Sequence, residues 1–420
     1  MVWVATATLA ALCAAMMAYG FSGRGRFYAY PFLAAAMFLT FVLPQIPGLI
    51  GNYFLPDDAL ARAVFFCVLC LAGCQVGWSL GVRRPARWDV VFDEDRLLKA
   101  AAALSLIGAY FFYKFGQLPE EDRLRGFLTG TTVAYLFFAK LLTYGLAIAV
   151  LCYARRPSPL ALGIIAFDCL FYFDRIVIAG RRGDFAEFGL IFALAFWFQR
   201  RWSVPKLAAF AGLGAILVGL LGAAEYRQAT YYGGETQWSQ IAQIDLAANW
   251  DALMQHGGPE MENLVRSMQH VSDTVTFDFG LSHWNDLVST YVPAQLVGPE
   301  FKQSLMLTMP SLFDRGYVQM PGTTETGMRD AFASFWYFGF VKFMMVGLAV
   351  GWIYAAAIRG NTAMQLLYML SAMPSMLVVT HFTNEIVLAW VHISAFLVPV
   401  AIYAASRRGR LEPVAAPRPS

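Results

Sequence analysis

The stretch Ala63-Val64-Phe65-Phe66-Cys67-Val68-Leu69-Cys70-Leu71-Ala72-Gly73-Cys74-Gln75-Val76-Gly77-Trp78-Ser79-Leu80-Gly81 decides the fold. It carries no charge from end to end, and a membrane-crossing helix needs about 20 mostly apolar residues. Cys67, Cys70 and Cys74 share one helical face. With no fourth ligand and no polar shell, they read as small packing residues rather than a metal cluster.

Comparable runs extend outward from this one at 2–20, 29–51, 98–115, 131–154, 159–180, 184–199, 206–224, 331–358, 364–380 and 382–405. That makes about eleven spans by length and apolarity. The composition agrees: 58% of the 420 residues are hydrophobic and 14% charged, against about 25% charged in a soluble domain. A water-soluble globular chain and a disordered one are both excluded. The expected fold class is an all-α polytopic membrane protein. Cys13, Cys67, Cys70, Cys74, Cys152 and Cys169 all lie in apolar runs, so no disulfide framework holds the large polar segment. The first run has no basic residues before it and no small-residue cleavage site, and reads as a retained anchor.

Lys and Arg positions set the expected orientation. With the N-terminus outside, the inner loops hold Arg24, Arg26, Arg83, Arg84, Arg87, Arg155, Arg156, Arg200, Arg201 and Arg359, and the tail holds Arg407, Arg408 and Arg410. The expected division is a membrane domain of about eight spans over 1–224, a loop domain over 225–330 and a membrane domain of about three spans over 331–405. Residues 406–420 form a cytoplasmic tail. In a bacterium the loop lies in the periplasm and the chain in the inner membrane.

The loop holds thirteen acids and five bases, a net charge of −8 inside a protein whose total is +3. Helical periodicity through Ile241, Ile244, Trp250, Leu253 and Met254, stopped by Gly257-Gly258-Pro259, gives one amphipathic helix. Met261, Leu264, Val265, Met268, Val271 and Val275 give another. Trp238, Trp250, Trp284, Tyr231 and Tyr232 are flat rings that either stack on sugars or fill a small core. His256, His270 and His283 lack metal spacing. The short inner loops cannot build a nucleotide-sugar domain, and Asp93-Glu94-Asp95 reads as a helix cap ahead of Leu97.

Charge inside apolar runs is expensive and marks function. The segment Asp174-Arg175-Ile176-Val177-Ile178-Ala179-Gly180-Arg181-Arg182-Gly183-Asp184 breaks the positive-inside rule with two adjacent arginines on the outer side. Glycines let backbone N–H groups approach an anion, and guanidinium forks match phosphate oxygens. Asp174 reads equally as half of an ion pair between helices. Arg227 arrives at the same surface, and so does Arg329 in Glu325-Thr326-Gly327-Met328-Arg329-Asp330. There Thr326 is a helix cap, and a bound anion would offset the cation's clash with the helix dipole. At the last outer turn His381 and Glu385 are spaced i, i+4, with Thr383 or Asn384 as the cap. Gly347-x-x-x-Gly351 is a helix-packing motif.

With these residues in view, the chain resembles the bacterial oligosaccharide repeat-unit polymerases, the Wzy-type O-antigen and exopolysaccharide polymerases. Ala179-Gly180-Arg181-Arg182-Gly183 is similar to the family's Gly-Ser-Arg-Gly turn, and Tyr291-Val292-Pro293-Ala294 to its loop-proline segment. Pro321-Gly322-Thr323-Thr324-Glu325-Thr326-Gly327 through Phe335-Trp336-Tyr337-Phe338-Gly339-Phe340 resembles the Thr/Glu-rich stretch before a late span. The resemblance implies a GT-C-like glycosyltransferase that moves a growing glycan from undecaprenyl diphosphate onto another lipid-linked repeat unit.

On that reading Arg175, Arg181, Arg182, Arg227 and Arg329 bind the diphosphate and stabilise its departing charge. Asp184, Glu325, Asp330 and His270 are candidate bases. Trp238, Trp284, His283 and His381 are candidate glycan contacts. No metal or other cofactor is called for. The expected partners are undecaprenyl-diphosphate-linked oligosaccharides and membrane lipids, with a chain-length regulator as a further candidate and no nucleic acid. An O-antigen ligase and a flippase of lipid-linked oligosaccharides are the alternatives.

Overall fold

The computed structural model describes residues 1–84, 90–119, 131–232, 238–308 and 324–406. Arg87, Arg315, the Pro321-Gly322-Thr323 part of the family-like segment and the tail arginines fall outside them. Among the described residues the chain is almost entirely helical, its only sheet-like feature a bridge between Phe92 and Ala405. We number the main helices α1 (Val2–Phe21), α2 (Tyr30–Leu49), α3 (Asp57–Gly81), α4 (Glu94–Gly116), α5 (Thr131–Arg155), α6 (Pro159–Phe173), α7 (Arg182–Arg200) and α8 (Lys206–Leu221). The polar segment supplies α9 (Leu246–His256), α10 (Pro259–Thr274) and α11 (Leu281–Tyr291). The chain closes with α12 (Gly327–Phe335), α13 (Phe340–Ala357), α14 (Thr362–Thr380) and α15 (Glu385–Ala404).

Eight of these segments are long and apolar enough to cross a membrane: α1 to α5, the joined α12–α13, α14 and α15. The other three expected spans are helices too, but of a different character. α6 gives way at Asp174 to a wider π-type turn over Asp174–Ile178, α7 carries Arg182, Asp184, Glu187 and Arg200, and α8 has 16 residues.

Local chemistry accounts for the helix starts. Asp93 caps α4 by accepting from the Arg96 N–H at 3.1 Å, as the acidic run implied. Ser158 caps α6 ahead of Pro159, and Asn361 caps α14.

α3 and α13 form the closest pair. A Cβ on Gly77 would lie 1.9 Å from the Met344 carbonyl oxygen, and one on Gly347 2.4 Å from that of Cys74. The two backbones therefore touch where side chains would otherwise intervene, which is how helices associate when lipid provides no hydrophobic drive. Gly347 and Gly351 both line this contact, as their spacing implied. Cys67, Cys70 and Cys74 are fully buried in the same region, with Cys74 Sγ 3.5 Å from the Tyr30 hydroxyl.

One end of the bundle is fastened by arginines. Arg200 donates to the Ala154 carbonyl at 2.7 Å and Arg201 to that of Ile358 at 2.5 Å, so each satisfies the exposed end of a neighbouring helix. Arg155 bridges Gln199 and Thr362, and the Asp93 N–H bonds the Ala404 carbonyl. The polar segment covers the opposite end. There α10 buries Met261, Leu264, Val265, Met268 and Val271 of the predicted stripe against α3 and α12, whereas Val275, expected to continue it, ends the helix in a left-handed conformation and is exposed. Its first turn is pinned by Gln45, whose Oε1 accepts from the Met261 N–H at 3.1 Å. α9 ends at His256 before Gly257, as predicted, though Ile241 and Ile244 precede it.

Candidate functional site

The covered end holds two charged constellations. In the first, the chain leaves the π-type turn with Gly180 at φ +59°, a left-handed conformation that favours glycine. A Cβ there would meet Tyr226 Cδ1 at 2.9 Å and Arg227 Cγ at 3.1 Å. The Tyr226 hydroxyl donates to the Val177 carbonyl at 2.7 Å. Arg227 is thereby held against the turn that presents Arg181 and Arg182, and the first N–H groups of α7 open onto the same place. Arg181 and Arg182 are exposed.

Arg182 bonds the Gly219 carbonyl at 3.0 Å. Desolvation at its guanidinium end pushes Arg182 below its ordinary value, and the Arg227 cation pushes the same way while Glu260 opposes. Glu260, at the start of α10, is raised by burial, with its own backbone N–H and Arg182 pulling down. Arg182 and Arg227 thus share one turn with Glu260 beside them, and guanidinium groups gathered in this way match the oxygens of an anion.

Arg175 and Asp184 lie beside this turn as a bidentate pair at 2.9 and 2.6 Å, with the guanidinium 5.3 Å from the centroid of the Tyr172 ring. The interhelical ion pair expected at Asp174 is therefore made by Arg175, and it ties α6 to α7. Asp184 keeps its carboxylate occupied in that pair, which argues against it as a free base.

The second constellation sits where α12 breaks from α13 at Trp336–Gly339. Lys342 Nζ donates to Asp330 Oδ1 at 3.2 Å, to Ser334 Oγ at 2.7 Å and to His283 Nε2 at 2.7 Å. Asp330 Oδ2 accepts from the Thr383 N–H at 2.9 Å and from its hydroxyl. Lys342 and Asp330 are 11% and 5% exposed at their side chains, so the pair is shielded from water. Burial pushes His283 below its ordinary 6.5; Asp330 opposes this and Lys342 reinforces it. One turn along α11, Asp286 accepts from Asn384 Nδ2 at 2.5 Å, and burial raises its carboxyl.

Several expected roles change in this setting. Arg329 is 6% exposed, and its guanidinium is engaged by Glu325 and by Ser267 Oγ at 3.1 Å. Glu325 offsets the clash with the helix dipole that a bound anion was expected to offset. Arg329 and Glu325 thus join α12 to α10 rather than facing a ligand. Thr326 does cap α12, accepting from the Arg329 N–H at 3.4 Å. Asp330 receives three donors and is a structural anion.

Thr383 gives its hydroxyl to Asp330 instead of capping a helix, and the Asn384 side chain makes no capping bond to α15. His381 ends α14 with Nδ1 2.8 Å from the Thr380 hydroxyl, so it shares no helix face with Glu385. Burial pushes its imidazole below the ordinary value. His270 lies in α10, bonded to Thr274 through its carbonyl. Trp284 donates to the Leu305 carbonyl at 2.7 Å and supports the loop, while Trp238 is exposed.

α10 links the two constellations. Glu260 neighbours Arg182 and Ser267 bonds Arg329; at 1.5 Å per residue the seven helical steps from Glu260 to Ser267 span about 10 Å. Lys342, Asp286 and Glu260 were missed in the sequence, as were Lys140, Asp168 and Glu187 within apolar helices. Lys342 carried a signal of the same kind as Arg175, an ionisable group in an apolar run, but without other charges beside it. Comparison of the chain with known protein families, with characterised proteins and with solved structures returned no match.

Proposed function

We propose that this protein is a membrane glycosyltransferase of the repeat-unit polymerase type, moving a growing glycan from undecaprenyl diphosphate onto a lipid-linked repeat unit. The observation that carries the reading is the Gly180 turn, which meets Arg227 and leads into Arg181 and Arg182 at the first turn of α7. A lipid diphosphate brings two adjacent anionic groups, and forked cations with backbone N–H groups match them. In this reading α6, α7 and α8 also cross the membrane, giving eleven spans in a GT-C-like bundle. The covered end faces the periplasm of a bacterial inner membrane, with the N-terminus on that side and the C-terminus in the cytoplasm.

Arg181, Arg182 and Arg227 stabilise the charge that develops as the diphosphate leaves. Glu260, the carboxyl beside Arg182 with a raised value, takes the proton of the attacking hydroxyl. A good leaving group makes a general acid dispensable. The test is purified protein in nanodiscs with a lipid-diphosphate repeat unit, product length being followed on a gel. Wild type should give a ladder that Arg182→Ala and Arg227→Ala abolish. No ladder from wild type would sink the reading, and an undiminished ladder from both variants would sink the assignment of the arginines.

One observation favours a flippase instead. Lys140, Asp168, Glu187 and His392 place ionisable groups along the apolar helices, as a transport path would require. Labelling of single cysteines at 175, 181 and 227 from both membrane faces would favour transport, and labelling from one face the transferase. An O-antigen ligase would share the donor site and differ in its acceptor.

A further inference from the structure

Val275, Phe279 and Trp336 combine two properties that oppose each other. Each has a left-handed backbone, with φ at +51°, +50° and +53°, which crowds any side chain and a β-branched one most. Each nonetheless turns a large apolar side chain outward, Val275 being 72% and Phe279 69% exposed, with Trp336 half exposed. They belong to one patch. The Phe277 ring centroid lies 6.2 Å from that of Phe279 and 6.3 Å from that of Trp336. Phe338, 76% exposed, follows in the break between α12 and α13. Strain that points apolar groups away from the core is not offset within the fold.

The depth of the break identifies what covers the patch. The Tyr337 ring stands 6.1 Å from that of Phe66, and a Cβ on Gly73 would lie 3.0 Å from the Phe340 carbonyl oxygen. Phe66 and Gly73 both belong to the uncharged stretch from Ala63 to Gly81. At 1.5 Å per residue they lie about 5 and 15 Å along it, so Trp336–Gly339 sits beside its first half. The outward face continues along α13 through Met345 and Leu348, exposed apolar residues spaced as one helical stripe with Phe338. The joined α12–α13 is long and apolar enough to cross a membrane, which makes this stripe lipid-facing. Val275 and Phe279 extend it onto the polar segment. The one charged residue of the Val275–Gly280 loop is held back: Asp278 Oδ1 accepts from the Gly280 N–H at 2.9 Å, and its own N–H bonds the Ala333 carbonyl at 3.2 Å.

We propose that the Val275–Gly280 loop dips into the leaflet on the covered side and lays Val275 and Phe279, with Trp336 and Phe338, against the acyl chains just below the headgroups. The partner is the bilayer, and burial of these side chains in it offsets the backbone strain. The loop goes no deeper than this boundary, because a non-helical backbone needs water or headgroups to satisfy its remaining polar groups. Trp336 is the residue type that settles at that level. The segment between α10 and α11 is therefore a membrane anchor rather than a part of the aqueous surface. The inference stands apart from the transferase reading and would hold for a flippase equally.

The test uses the full chain in nanodiscs. Val275→Cys, Phe279→Cys, Phe338→Cys, Met345→Cys and Glu300→Cys each carry a nitroxide in a Cys169→Ala background, the other native cysteines being buried. Collision with oxygen, which concentrates in hydrocarbon, is compared with collision with a water-soluble nickel chelate. The ratio of oxygen to nickel at 275, 279 and 338 should be several-fold higher than at the exposed residue 300 and should approach that at 345. A ratio at 275 and 279 equal to that at 300 places the loop in water and overturns the proposal. Little collision with either reagent there means that protein, such as a second copy of the chain, covers the patch, and overturns it as well. The unsubstituted chain gives an independent reading. A lipid with a diazirine near the glycerol end of its acyl chain should leave adducts on the 275–280 peptide, located by mass spectrometry. Adducts on α13 with none on that peptide would refute the anchor.

Discussion

Replacing Lys342 by Met tests the buried constellation directly. Met fills nearly the same volume and removes a cation whose side chain is 11% exposed, leaving Asp330 at 5% exposure without its charged partner. Removing one member of a buried pair costs about 3–5 kcal/mol, because the remaining charge is stranded. Asp330 keeps the two Thr383 donors on Oδ2, so the lower figure applies and we expect a loss of about 3 kcal/mol. Melting temperatures move by about 2–4 °C per kcal/mol in chains of 150–250 residues. At roughly half that for a chain of this length, the apparent melting temperature in nanodiscs should fall by about 3–6 °C.

The double variant Lys342→Met plus Asp330→Asn removes both charges. It should recover roughly 2 kcal/mol relative to the sum of the single losses. A Lys342→Met protein that melts within about 1 °C of wild type would refute the reasoning. So would a double variant no better than additive, since either result means that water reaches the pair and the pair is weak.

Gly180→Ala forces a left-handed backbone on a side chain that meets Tyr226 and Arg227, at a cost of about 1–2 kcal/mol. Diphosphate binding should weaken about tenfold in a titration with labelled lipid diphosphate, and unchanged binding would show that Arg227 is not needed at the turn. Gly77→Ala puts a Cβ 1.9 Å from the Met344 carbonyl oxygen and should lower the melting temperature by several degrees or prevent insertion. Gly163→Ala, in helix α6 with nothing within 4 Å, is the control, with a change of no more than about 1 kcal/mol.

pH dependence follows from His283. Its folded value lies below its ordinary 6.5, so on acidification the unfolded chain binds a proton that the folded one refuses. Stability from this group is complete above about pH 6.5 and is lost as pH falls. Melting of His283→Asn between pH 8 and 5 should therefore be flatter than wild type, and parallel curves would count against a neutral buried imidazole. His381 contributes with the same sign in both proteins and cancels in the comparison.

Much of the architecture was legible because membrane helices announce themselves by long, unbroken apolarity. The stretch from Ala63 to Gly81 is helix α3 within six residues of either end, and the Gly347/Gly351 spacing marked the face it packs against. The caps at Asp93 and Thr326 and the stripe of α10 were local patterns as well. Charge at depth was read unevenly. Arg175 stood out because it sits among other charges, while Lys342 is a single cation in a long apolar run and was passed over.

Pairings were not legible in the same way. Arg175 meets Asp184 across a turn, Ser267 reaches Arg329 over 62 residues, and Thr383 reaches Asp330 over 53. Nothing in local spacing distinguishes an arginine at a surface turn from one buried to anchor a helix. Arg227 and Arg329 looked alike on paper; packing left one at the Gly180 turn and buried the other against Glu325. The sequence by itself determined which segments avoid water, because that preference belongs to each side chain and adds along a helix. Only the tertiary structure decided which charges are already satisfied, because satisfaction is a property of pairs, set within a few ångströms by elements far apart in the chain.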